Sequence, residues 1–230
     1  MNGQGRLIII EGGDGSGKAT QSAMLVDRLR AEGIPALRIT FPDYDSPSSA
    51  LIKMYLGGEF GDSPEAVNAY AASTFYTVDR FASFTKGWKA DYEGGAVIVA
   101  DRYTTSNMVH QGAKLESLEA RRAYYAWLQH FEYTLFGLPR PDEVIFLDVP
   151  PTVSRQWMRD RLSKMDGSGE KDIHERDAVH LDKAYATAVE LCALEQWVRV
   201  QAVEDGVLLD VEQIHQRVWT AVKGLLEGSR

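Results

Sequence analysis

The sequence predicts an α/β fold in which a parallel sheet is covered by helices on both faces. Three observations lead there. Short apolar runs of strand length alternate with longer amphipathic stretches along the chain. The runs are apolar throughout rather than alternating, as strands buried on two faces are. A glycine-rich segment, "EGGDGSGKATQS", joins the first run to the first amphipathic stretch.

Taken in order, Leu7–Ile10, Ala36–Phe41, Ala96–Ala100, Val144–Leu147 and Trp197–Val200 are the expected strands, each bounded by Gly, Pro or charge. The intervening stretches Ala19–Glu32, Pro64–Tyr92, Glu116–Phe136, Thr152–Lys164 and Arg176–Gln196 carry helical patterns. A last helix is expected over Val211–Leu226, and Val207–Leu209 is expected to add a short edge strand. "MDGSGEK" at 165–171 is too polar and glycine-rich to pack, and reads as a flap inside a helical region. No repeat or linker divides the 230 residues, so one domain over 1–230 is expected.

Bulk properties exclude some functions. The net charge of −8 argues against general binding to nucleic acid or to anionic membranes. The single cysteine, Cys192, permits no internal disulfide and suits a reducing compartment. No apolar segment reaches membrane length, so a cytoplasmic setting is expected.

Gly12, Gly17 and Lys18 fit the spacing G-x-x-x-x-G-K of a phosphate-binding loop. Glycines let the backbone approach an anion closely, and the amides of Gly13, Asp14, Gly15 and Ser16 can form a nest for it. The following helix adds the positive end of its dipole, and Lys18 reaches terminal phosphates. Ala19 stands where a Mg²⁺-ligating hydroxyl is usual, and Thr20 comes one place late. The nearest metal candidate in the loop is Asp14.

A second charged site follows the third strand in "VIVADRYTTSNMVHQGAK". Asp101 falls at the carboxyl end of that strand, where open α/β sheets bind ligands, and can hold metal-linked water. Arg102 can grip a phosphate bidentately. Upstream, Tyr76 and Arg80 are four residues apart on a helical stretch and so share a face, which suits a base and its phosphate.

Together "EGGDGSGKATQ", "FPDYDSPSS", "FYTVDR", "DRYTTSNMVHQG" and "GLPRPDEVIFLDVPP" resemble thymidylate kinases, colinearly over about residues 6 to 220. The resemblance implies an adenylate-kinase-like P-loop fold with a five-stranded parallel sheet, transfer of a phosphoryl group from ATP to dTMP with Mg²⁺, and a homodimer. It implies that Lys18 and residues 12–20 hold the ATP phosphates, and that Asp14 places metal and acceptor. Arg80 and Arg102 match arginines on the dTMP phosphate; Ser106, Asn107 and Gln111 match the nucleoside segment; Tyr76, or Phe75 one place away, matches the stacking aromatic. Arg159 and Arg161 match arginines of a lid at about 152–177, and Asp172 and Glu175 match acidic lid residues more loosely. His110 replaces an aromatic residue beside the sugar, and Tyr44 stands where some members carry an arginine. Two alternatives remain open at this stage. One is a deoxynucleoside kinase, which needs a carboxylate base near Asp43 or Asp45; the other is a kinase for a different monophosphate.

Overall fold

A computed structural model of the chain describes residues 5–162, 173 and 177–227. The elements run β1 (Arg6–Gly12), α1 (Lys18–Ala31), β2 (Ala36–Thr40), α2 (Ala50–Leu56), α3 (Ala69–Ser83), α4 (Lys89–Glu93), β3 (Val97–Asp101), α5 (Thr104–His110) and α6 (Leu118–Gln129). They continue with β4 (Glu143–Asp148), α7 (Pro151–Leu162), α8 (Ala178–Leu194), β5 (Val198–Gln201), β6 (Val203–Glu204), β7 (Val207–Leu208) and α9 (Val211–Glu227). Five strands pair in the order β2-β3-β1-β4-β5, all parallel.

The apolar runs form strands because both faces are buried. Along β1, Leu7 and Ile9 point into one core, and Ile8 and Ile10 into the other. The second core is closed by Leu25, Val26 and Leu29 of α1 and by Ile214, Val218 and Val222 of α9. The first is closed by aromatic and aliphatic groups of α5, α6 and α8, among them Val109, Tyr124, Tyr125 and Leu191. All five expected strands are present. The expected edge strand at 207–209 is not part of this sheet: Val207–Leu208 pairs antiparallel with Val203–Glu204 in a separate hairpin.

Two long helical stretches are broken by wide π-type turns, at Phe84–Trp88 and at His130–Leu135. Such turns add a residue to the helical circuit and redirect the chain beyond them. The second brings Glu132 fully inside. Helix α3 starts later than its sequence pattern, at Ala69, because the Asn68 side chain accepts from the Ala71 amide and caps it. The flap at 165–171, with Asp172 and Glu175, lies outside the described residues.

Gly5 leads into β1 with its amide on the Tyr92 carbonyl at 2.7 Å. A Cβ there would lie 2.3 Å from the Ala96 carbonyl oxygen and 2.6 Å from that of Tyr92, both backbone atoms. Gly5→Ala therefore lowers stability by about 1–3 kcal/mol. The check is the urea midpoint, which falls while the m-value stays constant.

Candidate active site

The glycine loop sits where the sequence places it. Strand β1 ends at Gly12, and α1 begins at Lys18 with Gly17 as its N-cap at φ 91°. Gly15 has φ 76° and Gly12 φ 159°, so the positive dihedrals of the loop fall on glycines. Lys18 is buried and donates to the Gly13 carbonyl at 2.8 Å, with Asp14 Oδ1 at 3.8 Å. Burial pushes its ammonium down to about 8; Arg102 adds to the shift, and Asp14, Asp101 and Glu11 oppose it. Ala19 and Thr20 lie on the exposed side. A broad cleft of about 860 Å³ opens there, lined by Gly15, Gly17, Thr20, Trp157 and Asp210 among others.

Strand pairing brings the second charged segment alongside. Ile10 is in register with Asp101, and the Arg102 amide donates to the Ile10 carbonyl at 3.2 Å. Arg102 has φ 69°, a left-handed conformation that costs a non-glycine residue about 1–3 kcal/mol. Its guanidinium pairs with Asp14 and lies 3.7 Å from Glu11. Burial opposes the Arg102 charge, but Asp14, Glu11 and Asp101 outweigh it and raise the pKa. Asp101, at the strand end, faces Arg38 at 3.5 Å.

Glu11 was not legible as a functional residue, yet it organises this junction. Its buried carboxylate accepts from Thr105 Oγ1 at 2.8 Å, Ser106 Oγ at 2.7 Å and the Gly12 amide at 3.0 Å. Ser106 Oγ also lies 3.4 Å from Arg102 Nη1. Ser106, expected in the nucleoside segment, is thus tied to the charged junction.

A cleft of about 250 Å³ leads away from Arg102 and Asp14. Its walls include Phe41, Pro42, Tyr44, Tyr76, Arg80, Tyr103, Ser106, Asn107, His110 and Gln111. The structure therefore gathers Asp14, Tyr76, Arg80, Arg102, Ser106, Asn107, His110 and Gln111 around one space. Tyr76 lines it, whereas Phe75 packs away from it against Tyr55 and Phe60, with ring centroids at 6.4 and 5.8 Å. His110 lies 3.4 Å from Arg102 Nη1 and stacks on His180 of α8 at 5.9 Å.

Arg80 differs from its expected role. It is buried and bound to Glu132 through Nε at 2.8 Å and Nη2 at 2.5 Å. Its remaining contacts are Asn107 Oδ1 at 3.1 Å and the Tyr103 carbonyl at 3.4 Å. With four of its five N–H groups engaged and its charge answered by Glu132, it is not set to clamp a phosphate. The spacing of Tyr76 and Arg80 is right, but sequence spacing alone does not reveal Glu132.

Among the described residues, no group of three His, Cys, Asp or Glu side chains is arranged to hold a metal ion. The side chains of Arg159 and Arg161, on α7, lie outside the described residues.

This geometry can be set beside known proteins. A family model described as thymidylate kinase matches residues 10–215. The chain belongs to the thymidylate kinase family. The match takes in the glycine loop, the Asp101–Arg102 segment and every residue named around the smaller cleft. A thymidylate kinase of Mycobacterium tuberculosis H37Rv is 34% identical over 188 residues, spanning 81% of this chain and 86% of that protein. One from Afipia carboxidovorans OM5 is 26% identical over 221 residues, covering 96% and 90%. A protein described as a probable thymidylate kinase, from Natronomonas pharaonis, is 32% identical over 150 residues, covering 65% and 70%.

The lowered pKa of Lys18 gives a signed expectation. A polyphosphate against its ammonium favours the charged form and raises the pKa again. ATP binding near pH 8 therefore takes up a fraction of a proton, and affinity falls as pH rises above about 8. Calorimetry in buffers of different ionisation enthalpy measures the uptake, and Lys18→Met abolishes it.

Proposed function

We propose that this chain transfers the γ-phosphoryl group of ATP to the phosphate of dTMP, giving ADP and dTDP. One observation carries the reading: Arg102 and Asp14 belong at once to the surroundings of the glycine loop and to the smaller cleft. A donor phosphate on the loop and an acceptor phosphate at Arg102 would then meet across one charged junction.

The acceptor's chemistry fits what lines the cleft. A monophosphate is already an anionic nucleophile, so it needs alignment and charge neutralisation rather than a base. A nucleoside hydroxyl would need a carboxylate to take its proton. Among the residues lining the cleft, Asp14 is the only carboxylate, and it is committed to Arg102 and Lys18. Asp43 and Asp45 do not line it. This weighs against the deoxynucleoside kinase alternative.

Residues 12–20, from Gly12 through Lys18 to Ala19 and Thr20, cradle the donor phosphates in this reading. Lys18 and Arg102 neutralise the equatorial oxygens of the transferring group, joined by Arg159 and Arg161 from the lid. Asp14 and Asp101 would hold Mg²⁺ through water in place of the hydroxyl missing at Ala19, and the ion would neutralise the charge of the ATP phosphates. Tyr76 stacks on the base, Asn107 and Gln111 meet its polar edge, and His110 packs beside the sugar. The chain works as one domain with a lid at about 152–177, in the cytoplasm and as a homodimer. Neither nucleic acid nor membrane is a partner; among the described residues no helix is long and apolar enough to cross a bilayer.

The test is direct. With MgATP, the purified protein converts dTMP to dTDP, followed by ADP release and product mass, and leaves thymidine unphosphorylated. Turnover of thymidine without turnover of dTMP would sink the reading. Arg102→Met lowers kcat about 10²–10³-fold with a smaller change in the KM for ATP, as loss of one preorganised charge contact does.

A further inference from the structure

One buried anion at the junction has no part in the transfer chemistry. Glu11 is 1% exposed, yet it stands beside a loop and a cleft read as receiving phosphates. A carboxylate there is unfavourable twice over, through its own desolvation and through repulsion of the incoming anions. Its contacts show what it holds.

The two oxygens serve different elements. Oε1 accepts from the Gly12 amide at 3.0 Å, on the glycine loop, and lies 3.7 Å from Arg102 Nη1. Oε2 accepts from Thr105 Oγ1 at 2.8 Å and Ser106 Oγ at 2.7 Å, in the first turn of α5. One side chain on β1 therefore joins the loop, the Arg102 corner and α5. Arg102 depends on such support, because a left-handed backbone with φ 69° persists only where its surroundings over-determine it.

The direction of the hydrogen bonds is fixed as well. A carboxylate only accepts, so Ser106 must give its one hydroxyl hydrogen to Glu11. That leaves the Ser106 oxygen as the acceptor for Arg102 Nη1, 3.4 Å away, which only donates. Arg102, Ser106 and Glu11 thus form a chain of bonds that all point one way. The other terminal nitrogen, Nη2, pairs with Asp14. The guanidinium is held at both terminal nitrogens.

We propose that Glu11 is a positioning residue that acts through Ser106 and Arg102, fixing the guanidinium where the glycine loop and the smaller cleft meet, and so supports phosphoryl transfer without touching either substrate. This rests on the reading of the cleft as the acceptor site.

The experiment is a double-mutant cycle on kcat at saturating MgATP and dTMP, over the wild type, Glu11→Gln, Arg102→Met and the double variant, with thermal melts to confirm folding. Glutamine keeps the size of Glu11. Its oxygen stays on the Gly12 amide, so its NH₂ falls on Ser106, whose oxygen must then accept; the chain toward Arg102 reverses and the charge is gone. Glu11→Gln should lower kcat about tenfold or more while the KM for ATP stays within about twofold. In the Arg102→Met background the same change should alter kcat less than about twofold, because no guanidinium is left to position. Ser106→Ala breaks the chain but keeps the charge; it should give a smaller fall that also vanishes without Arg102, and it carries the cycle if Glu11→Gln does not fold. Effects that multiply in the cycle, or an unchanged kcat in the folded variant, show that Glu11 only supports the loop; the proposal then falls while the reading of the cleft stands. An Arg102→Met variant as active as the wild type removes that reading and the proposal with it.

Discussion

The parallel pairing of β1 with β3 is the constraint on which the site depends. Its last rungs, Ile10 with Asp101 and the Arg102 amide on the Ile10 carbonyl, set the glycine loop beside the Asp101–Arg102 corner. Parallel strands end on the same side, so two segments about 90 residues apart deliver their charged residues to one point. Slipping the pairing by one residue would exchange the two buried faces of β1 and move Arg102 off Asp14. The apolar side chains that hold the register are therefore what brings Lys18 and Arg102 to one place.

Charge balance at that point is local. Lys18 and Arg102 stand among Glu11, Asp14 and Asp101, and Arg80 stands with Glu132. Each cation has its answering carboxylate within the fold, which is how a chain of net charge −8 can present cations to phosphates. The two groups rest on different supports. Lys18 and Arg102 follow strands β1 and β3, and Arg80 and Glu132 belong to α3 and the turn after α6.

Much of this was legible in the sequence, for physical reasons. Strands buried on both faces read as unbroken apolar runs, and all five were found where Val, Ile and Leu cluster. The loop was legible because lysine and glycines at fixed spacing have few other uses. Val207–Leu208 was misplaced because a two-residue strand has no pattern to show which neighbour it pairs with. Helices α2 and α5 were not anticipated; each has seven residues, too few for a period to emerge. Glu11 and Glu132 were missed because a lone glutamate in a sequence reads as solvated, and only tertiary packing strips its water. For the same reason Arg80 was expected on a phosphate.

The burial of Lys18 has a further consequence, for the fate of the protein in a cell. Holding that ammonium charged at neutral pH, with its pKa near 8 rather than 10.5, withdraws on the order of 3 kcal/mol from the folded state. The left-handed Arg102 withdraws about 1–3 kcal/mol more. In the proposed reading, a polyphosphate against Lys18 returns much of the first amount and adds its own binding energy to the native side of the equilibrium. Nucleotide supply then acts as a folding aid. With less nucleotide bound, the native state is less protected and a larger share of chains opens to proteases.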